Sequence, residues 1–214
     1  MATQTAKGAG TRQSVLNASL RLFAKDGFQK TTMRAIAAES GHSLGNAYYY
    51  FASKEELAGE LYRSLRREHR ARARPKLAAG NNLETHIRTV LDTALDVLEP
   101  FHDFGPAFIR AGLTGTEDPQ DPDRDLDLAL WRQAVETARP QPPLSMRQDL
   151  PELLWLLERG VVLFWAHDPS PGHRRSRRLI TNASPVVARL VVLSRLPVVR
   201  TIFDDLIGLV RATA

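Results

Sequence analysis

Between positions 32 and 54 the chain carries side chains suited to contact with a polyanionic double helix. Thr32, Arg34, Ser43, Tyr48, Tyr50 and Lys54 each offer an N–H or O–H to a phosphate oxygen. Leu44, Gly45, Asn46 and Tyr49 fall at or near the outward, N-terminal part of one short helical run. An amide such as Asn46 pairs with adenine, and Leu44 or Tyr49 suits a thymine methyl. Phosphate contacts set position and base-edge contacts set sequence preference. Thr32 and Ser43 also read as helix caps, and one or two of the tyrosines as packing groups. Three consecutive tyrosines on a two-turn helix, however, sample most of its circumference, so a small core cannot bury all of them.

The elements that must hold these groups are dense and short. Thr11 caps a helix over residues 11–25, with Leu16, Leu20 and Phe23 on one face and Asp26-Gly27 as its stop. Thr32 caps a second helix to residue 40, ended by Gly41, and Ser43 caps a third almost at once. Ser53, with Glu56 three residues on, forms a capping box for a fourth helix. That helix carries Leu57, Leu61 and Leu65 at i+4 spacing and continues through Arg66, Arg67, Arg70 and Arg72 to Pro75. Two short helices joined by a glycine-bearing turn have the spacing of a helix-turn-helix, whose second helix enters the major groove.

Charge supports that placement. Residues 1–75 hold 13 Lys+Arg against 6 Asp+Glu, and residues 76–214 hold 16 against 18. The whole excess behind the net charge of +5 therefore sits in the first third, as for a polyanion-binding module joined to a near-neutral one.

Within this stretch lie Leu22-Phe23, Gly27-Phe28, the run Thr31-Thr32-Met33-Arg34-Ala35-Ile36-Ala37, Gly41 and Ser43. Tyr48-Tyr49-Tyr50-Phe51 and Ser53-Lys54-Glu55-Glu56-Leu57 complete the set. Residues 11–57 thereby resemble the DNA-binding domain of the TetR family of bacterial transcriptional regulators. The resemblance implies an all-α homodimer whose N-terminal heads read a palindromic operator and whose divergent C-terminal body binds a small-molecule effector that releases the repressor. It places DNA contacts at Thr32, Arg34, Ser43, Leu44, Gly45, Asn46, Tyr48, Tyr49, Tyr50 and Lys54. The chain departs from the family pattern at His42, Ala47 and Asn46, where a small apolar residue, a larger aliphatic and threonine are usual. An effector-independent DNA-binding protein using the same head is the alternative reading.

Beyond the head, nearly every apolar pattern has helical spacing. Leu83, Ile87, Leu91, Leu95 and Leu98 form a stripe; residues 125–138, 153–166, 177–195 and 198–211 read as further helices, with Pro185 expected to kink or split one of them. The expected organisation is a disordered tail at residues 1–10, a helix-turn-helix domain at 11–56, a connecting helix at 57–75, and a ligand-binding and dimerisation domain at 76–214. The first ten residues lack the apolar run of a secretory signal, and no apolar stretch approaches the ~18–20 residues of a membrane span. A cytoplasmic protein without membrane contact is expected. The absence of cysteine excludes disulfides and thiolate chemistry.

Other chemistry is poorly supported. The six histidines are scattered without H-E-x-x-H spacing, and Asp121, Asp123 and Asp125 open like a calcium loop that lacks its glycine and closing glutamate. Neither a metal nor a cofactor is expected, and no nucleophile elbow or phosphate loop supports an enzyme. Arg174, Arg175, Arg177 and Arg178 form a basic cluster, read as a solvated helix start facing the acidic residues 117–127 or as an anionic effector site. Phe101, Phe104, Phe108, Trp131, Trp155, Phe164 and Trp165 are candidates for an apolar effector pocket. Two heads must be held about one helical turn of DNA apart, ~34 Å. The dimer surface that does so is expected at Val186, Leu190, Leu193, Ile202 and Leu206, with the helix at residues 153–164 as its rival.

Overall fold

A computed structural model describes residues 2–104, 106, 122–194, 201, 205 and 208 of the chain. The described residues form helices joined by turns and loops, without a strand, and the chain divides into two compact units: residues 1–65 with 98–117, and residues 66–97 with 118–214. The division lies inside the helix expected to connect two domains.

In the first unit, α1 (Ala2–Asp26), α2 (Met33–Glu39), α3 (Leu44–Tyr50) and the start of α4 (Lys54–Ala73) surround a core of Val15, Leu16, Phe23, Phe28, Ile36, Ala47, Phe51, Leu57 and Leu61. Phe23 and Phe28 meet at 5.1 Å between ring centroids. The expected tail at residues 1–10 is instead the opening of α1 from Ala2. Its alanines favour helix, no proline intervenes before Pro75, and the rest of α1 supplies the nucleus, which offsets the cost of Gly8 and Gly10, about 1 kcal/mol each. Gly27 ends α1 with φ +79° and Gly41 ends α2 with φ +73°, backbone that a side chain would strain. The Ser53 cap forms, its Oγ accepting the Glu56 N–H at 3.0 Å, while the Glu56 carboxylate takes the Ala52 N–H at 2.6 Å, one residue earlier than a capping box requires. Glu60, facing Arg12 and Arg63, ties α4 to α1. Burial would raise its pKa, but the two guanidiniums outweigh that and hold it below the ordinary value.

The second unit contains α5 (Leu83–Leu98), α6 (Pro122–Thr137), α7 (Leu150–Ala166) and α8 (Arg174–Leu193). The stripe on α5 is buried at all five of its positions. α6 packs on α7 and α7 on α8. α6 begins earlier than residue 125 because Pro122 suits a first turn and acidic Asp123 and Asp125 favour the helix N-terminus. α8 runs on through Pro185 as one element rather than splitting. The helix expected at residues 198–211 lies outside the described residues, except that Thr201, Asp205 and Gly208 are helical and exposed.

Asp168 anchors the α7–α8 turn. It accepts the Ser170 N–H at 3.0 Å, the Ser176 N–H at 2.9 Å and the Ser176 hydroxyl at 2.8 Å while itself buried. Burial would raise its pKa, but these hydrogen bonds prevail and hold it well below the ordinary value of 3.8. A depressed folded pKa contributes stability that is complete above the unfolded value and lost as pH falls through the folded one. Asp168→Asn is therefore expected to be destabilised in urea titrations at pH 7, with the gap to wild type narrowing as pH falls below 3.8. A gap that stays constant would mean that the carboxylate charge contributes nothing.

Candidate nucleic-acid interface

The turn between α2 and α3 is built by backbone bonds around Gly41. Ser40 N–H donates to the Ile36 carbonyl at 2.9 Å and His42 N–H to the Ala37 carbonyl at 2.9 Å. Both N-caps form as expected: Thr32 Oγ1 accepts the Ala35 N–H at 3.1 Å and Ser43 Oγ the Asn46 N–H at 3.2 Å. Each hydroxyl keeps its own hydrogen, so capping leaves a donor for a phosphate oxygen. Met33, Ile36, Ala37 and Ala47 face inward. Ala47, one of the departures from the family pattern, is fully buried, so the smaller residue occupies a closed site.

The outward face of α3 is the surface that sequence spacing assigns. Gly45 is exposed with open space where a Cβ would stand, Leu44 and Asn46 are half-buried, and Tyr48 and Tyr49 are 49% and 80% exposed. Arg34 is exposed on α2. Tyr50 differs from its neighbours. It is half-buried and turned toward α1, where a Cβ at Gly8 would come within 3.3 Å of its hydroxyl, and its ring meets Tyr49 edge-on at 5.0 Å. Lys54 is also engaged within the head: its Nζ donates to the Phe28 carbonyl at 2.8 Å and lies 4.3 Å from the centre of the Phe28 ring. Two of its three N–H bonds remain to give.

The aromatic candidates of the C-terminal region are not alike. Phe101 is buried in the first unit, and Trp131, Trp155 and Trp165 are buried in the second. Phe164, by contrast, is 45% exposed. Phe108 and the side chain of Phe104 lie outside the described residues. Trp131 and Trp155 sit beside charged groups, and Trp165 meets the His173 ring at 5.9 Å. Trp131 Nε1 donates to Glu158 at 2.8 Å, and Arg124 and Arg159 lie 5.3 and 5.1 Å from the Trp155 ring centre. Beside them Arg70 bridges Asp123 at 2.6 Å and Asp127 at 2.5 Å, Arg66 reaches Asp127 at 2.7 Å, and the His69 ring lies 3.4 Å from Glu158. This buried charge network escaped the sequence reading. Its signal was the i, i+4 pairing of Arg66 with Arg70 and of Asp123 with Asp127. Within the basic cluster, Arg177 binds Asp92 and Asp96 on α5, at 3.3 and 2.7 Å; of the acidic stretch 117–127, residues 117–121 lie outside the described residues, and Asp123 and Asp127 are held by Arg66 and Arg70.

Of the expected dimer residues, Val186, Leu190 and Leu193 are exposed on α8, while Ile202 and Leu206 lie outside the described residues. The rival helix exposes Leu156, Leu163 and Phe164 as well. Among the described residues no helix is long and apolar enough to cross a membrane, and no group of three His, Cys, Asp or Glu side chains is gathered as a metal site.

Short capped helices with an inward apolar face and an outward aromatic and polar face define a helix-turn-helix head followed by an all-helical C-terminal region. Comparison with known proteins agrees along most of the chain. Residues 15–61 match the family described as "Bacterial regulatory proteins, tetR family", and residues 86–209 match "Tetracyclin repressor-like, C-terminal domain". The HTH-type transcriptional repressor KstR2 of Rhodococcus jostii is 28% identical over 101 residues, which cover 47% of this chain and 50% of KstR2. Among solved structures, the TetR family repressor AlkX of a Dietzia strain shares 16% identity at a TM-score of 0.57, covering 84% of this chain and 94% of AlkX. A TetR-family regulator from Syntrophomonas wolfei shares 16% identity at a TM-score of 0.57, covering 83% and 94%. These structural likenesses concern the fold. The chain belongs to the TetR family of bacterial transcriptional regulators.

Proposed function

We propose that the protein is a cytoplasmic repressor that binds a palindromic operator as a homodimer and is released by a small-molecule effector. The observation that carries the DNA-binding part is the solvent face of α3, where Tyr48, Tyr49 and Gly45 stand open beside half-buried Asn46 and Leu44. Residues 11–56 form the reading head in this proposal, residues 57–75 the connection, and residues 76–214 the dimerising and effector-binding part. Thr32, Arg34, Ser43 and Tyr48 position the phosphates; Tyr50 and Lys54 brace the head and add contacts at its edge. Leu44, Gly45, Asn46 and Tyr49 read bases.

The exposed apolar residues of α7 and α8 support the dimer. Leu156, Leu163 and Phe164 recur at helical spacing on one, and Leu179, Val186, Leu190 and Leu193 on the other. Neighbouring antiparallel helices with such stripes suit a four-helix contact with a second copy. Both surfaces that the sequence set up as rivals thus contribute to one interface.

Selection of bound duplexes from random DNA tests the reading. A palindrome with half-sites one helical turn apart is expected, and Asn46→Ala is expected to lose discrimination at a single base pair per half-site, worth about 1–3 kcal/mol. Enrichment of no palindrome would favour a non-specific DNA-binding protein, and equal weakening at every base would remove Asn46 from base reading.

A further inference from the structure

A groove of about 390 Å³ lies in the second unit between the start of α5, the turn at Pro140 and the second half of α8. Leu83, Pro140, Pro185, Ala188 and Val192 line it, so its surface is overwhelmingly apolar. Three polar residues stand on its wall. Asn82 is committed to capping α5, its Oδ1 accepting the Thr85 N–H at 2.8 Å, and Glu84 is paired with Arg88 at 3.0 Å. Arg189 is exposed and makes no ion pair or hydrogen bond among the described residues. An apolar floor with one uncommitted guanidinium at its edge is complementary to one kind of small molecule.

We infer that this groove binds an apolar monocarboxylic acid, its hydrocarbon body against Leu83, Pro140 and Val192 and its carboxylate paired with Arg189. Its volume falls within the range of ligand pockets, about 300–1,000 Å³. A guanidinium favours carboxylate over a neutral head group because it offers two parallel N–H donors and a full charge. The site also lies largely to one side of the proposed subunit contact. At 3.6 residues per turn, Pro185, Ala188 and Val192 fall on a different side of α8 from Leu179, Val186 and Leu190, about 150° around the helix. Leu193 stands at the border of the two. A bound acid would therefore lie against the flank of the helix that carries the dimer stripe, which suits it to the effector role; that consequence, though not the binding, rests on the proposed function.

Calorimetry on the full chain with decanoate, decanol and acetate tests the inference. Decanoate is expected to bind at one per chain, about tenfold tighter than decanol, with no uptake of acetate. Arg189→Gln should bring decanoate down to the level of decanol and leave decanol unchanged. Val192→Asp, at a half-exposed position that folding tolerates, should weaken decanoate more than decanol, with circular dichroism checking that both variants are folded. Equal affinity for decanoate and decanol in the wild type, or unchanged decanoate binding in Arg189→Gln, overturns the inference. So does the failure of either ligand to bind, the outcome expected if residues 195–214 of the chain or a second copy fill the groove. The same titration on protein bound to its selected operator separates the two readings. Release by decanoate in the wild type but not in Arg189→Gln supports both, whereas binding without release upholds the groove and refutes its effector role.

Discussion

Asp127→Ala is expected to lower the folding free energy by about 3–5 kcal/mol. Asp127 receives Arg70 at 2.5 Å and Arg66 at 2.7 Å, and Arg159 stands 3.9 Å away; the side chains of Arg66, Arg70 and Asp127 are each less than one-tenth exposed. Taking ions out of water costs several kcal/mol per ion, and the cost is offset only while each charge has its partner. Alanine removes the acceptor that Arg66 and Arg70 share, while Arg70 keeps Asp123 at 2.6 Å. The exposed Glu84 to Arg88 pair on α5 provides the contrast. Glu84→Ala should cost no more than about 0.5 kcal/mol, as for other i, i+4 surface pairs. Urea denaturation of the two variants reads the difference directly. A loss below about 1 kcal/mol for Asp127→Ala would show that water reaches the arginines and that the network is solvated.

Leu190→Glu is expected to abolish tight binding to the full palindrome while leaving binding to an isolated half-site unchanged. Leu190 is 43% exposed, so glutamate there disturbs little within one chain. Across the proposed interface it places two carboxylates against apolar residues of the partner. When two heads are joined, the second binds at a high effective concentration, which raises overall affinity by about 10²- to 10⁴-fold over one head. Loss of the joint forfeits that factor and nothing else. Sedimentation should show a single chain, and fluorescence anisotropy on whole and half operators should converge. A variant that remains dimeric would move the interface off this stripe, and equal loss on both duplexes would point to damage within the head.

The head was legible in sequence because its signals are local. Thr32, Ser43 and Ser53 cap within three residues, Gly41 must adopt a left-handed backbone, and the buried positions of α2 and α3 follow helical spacing. What was missed depends on partners far apart in the chain. Nothing near Arg66 or Arg70 distinguishes buried arginines from the solvated basic face they resemble; only the arrival of Asp123 and Asp127, more than 50 residues away, decides it. Tyr48, Tyr49 and Tyr50 show the same limit on a smaller scale. Identical residues one step apart turn 100° from one another, and only the path of α1 beside Gly8 makes Tyr50 the brace. Phe164 and Trp165 part for the same reason, one exposed and one buried, so composition alone could not group them in a pocket.

The passage of α8 through Pro185 carries a consequence for how that helix melts. Proline has no N–H to give the Thr181 carbonyl, so the helix is one rod in shape but is weakened where its hydrogen-bond ladder skips a rung. The half before the gap is fastened by Arg177 to α5 and by Ser176 to Asp168. The half after it carries exposed Val186, Leu190 and Leu193 beside buried Val191, and is expected to open at a lower free-energy cost than the half before it. Beyond the missing hydrogen bond α8 thus carries three exposed apolar residues, while its root is held by Arg177 and Ser176.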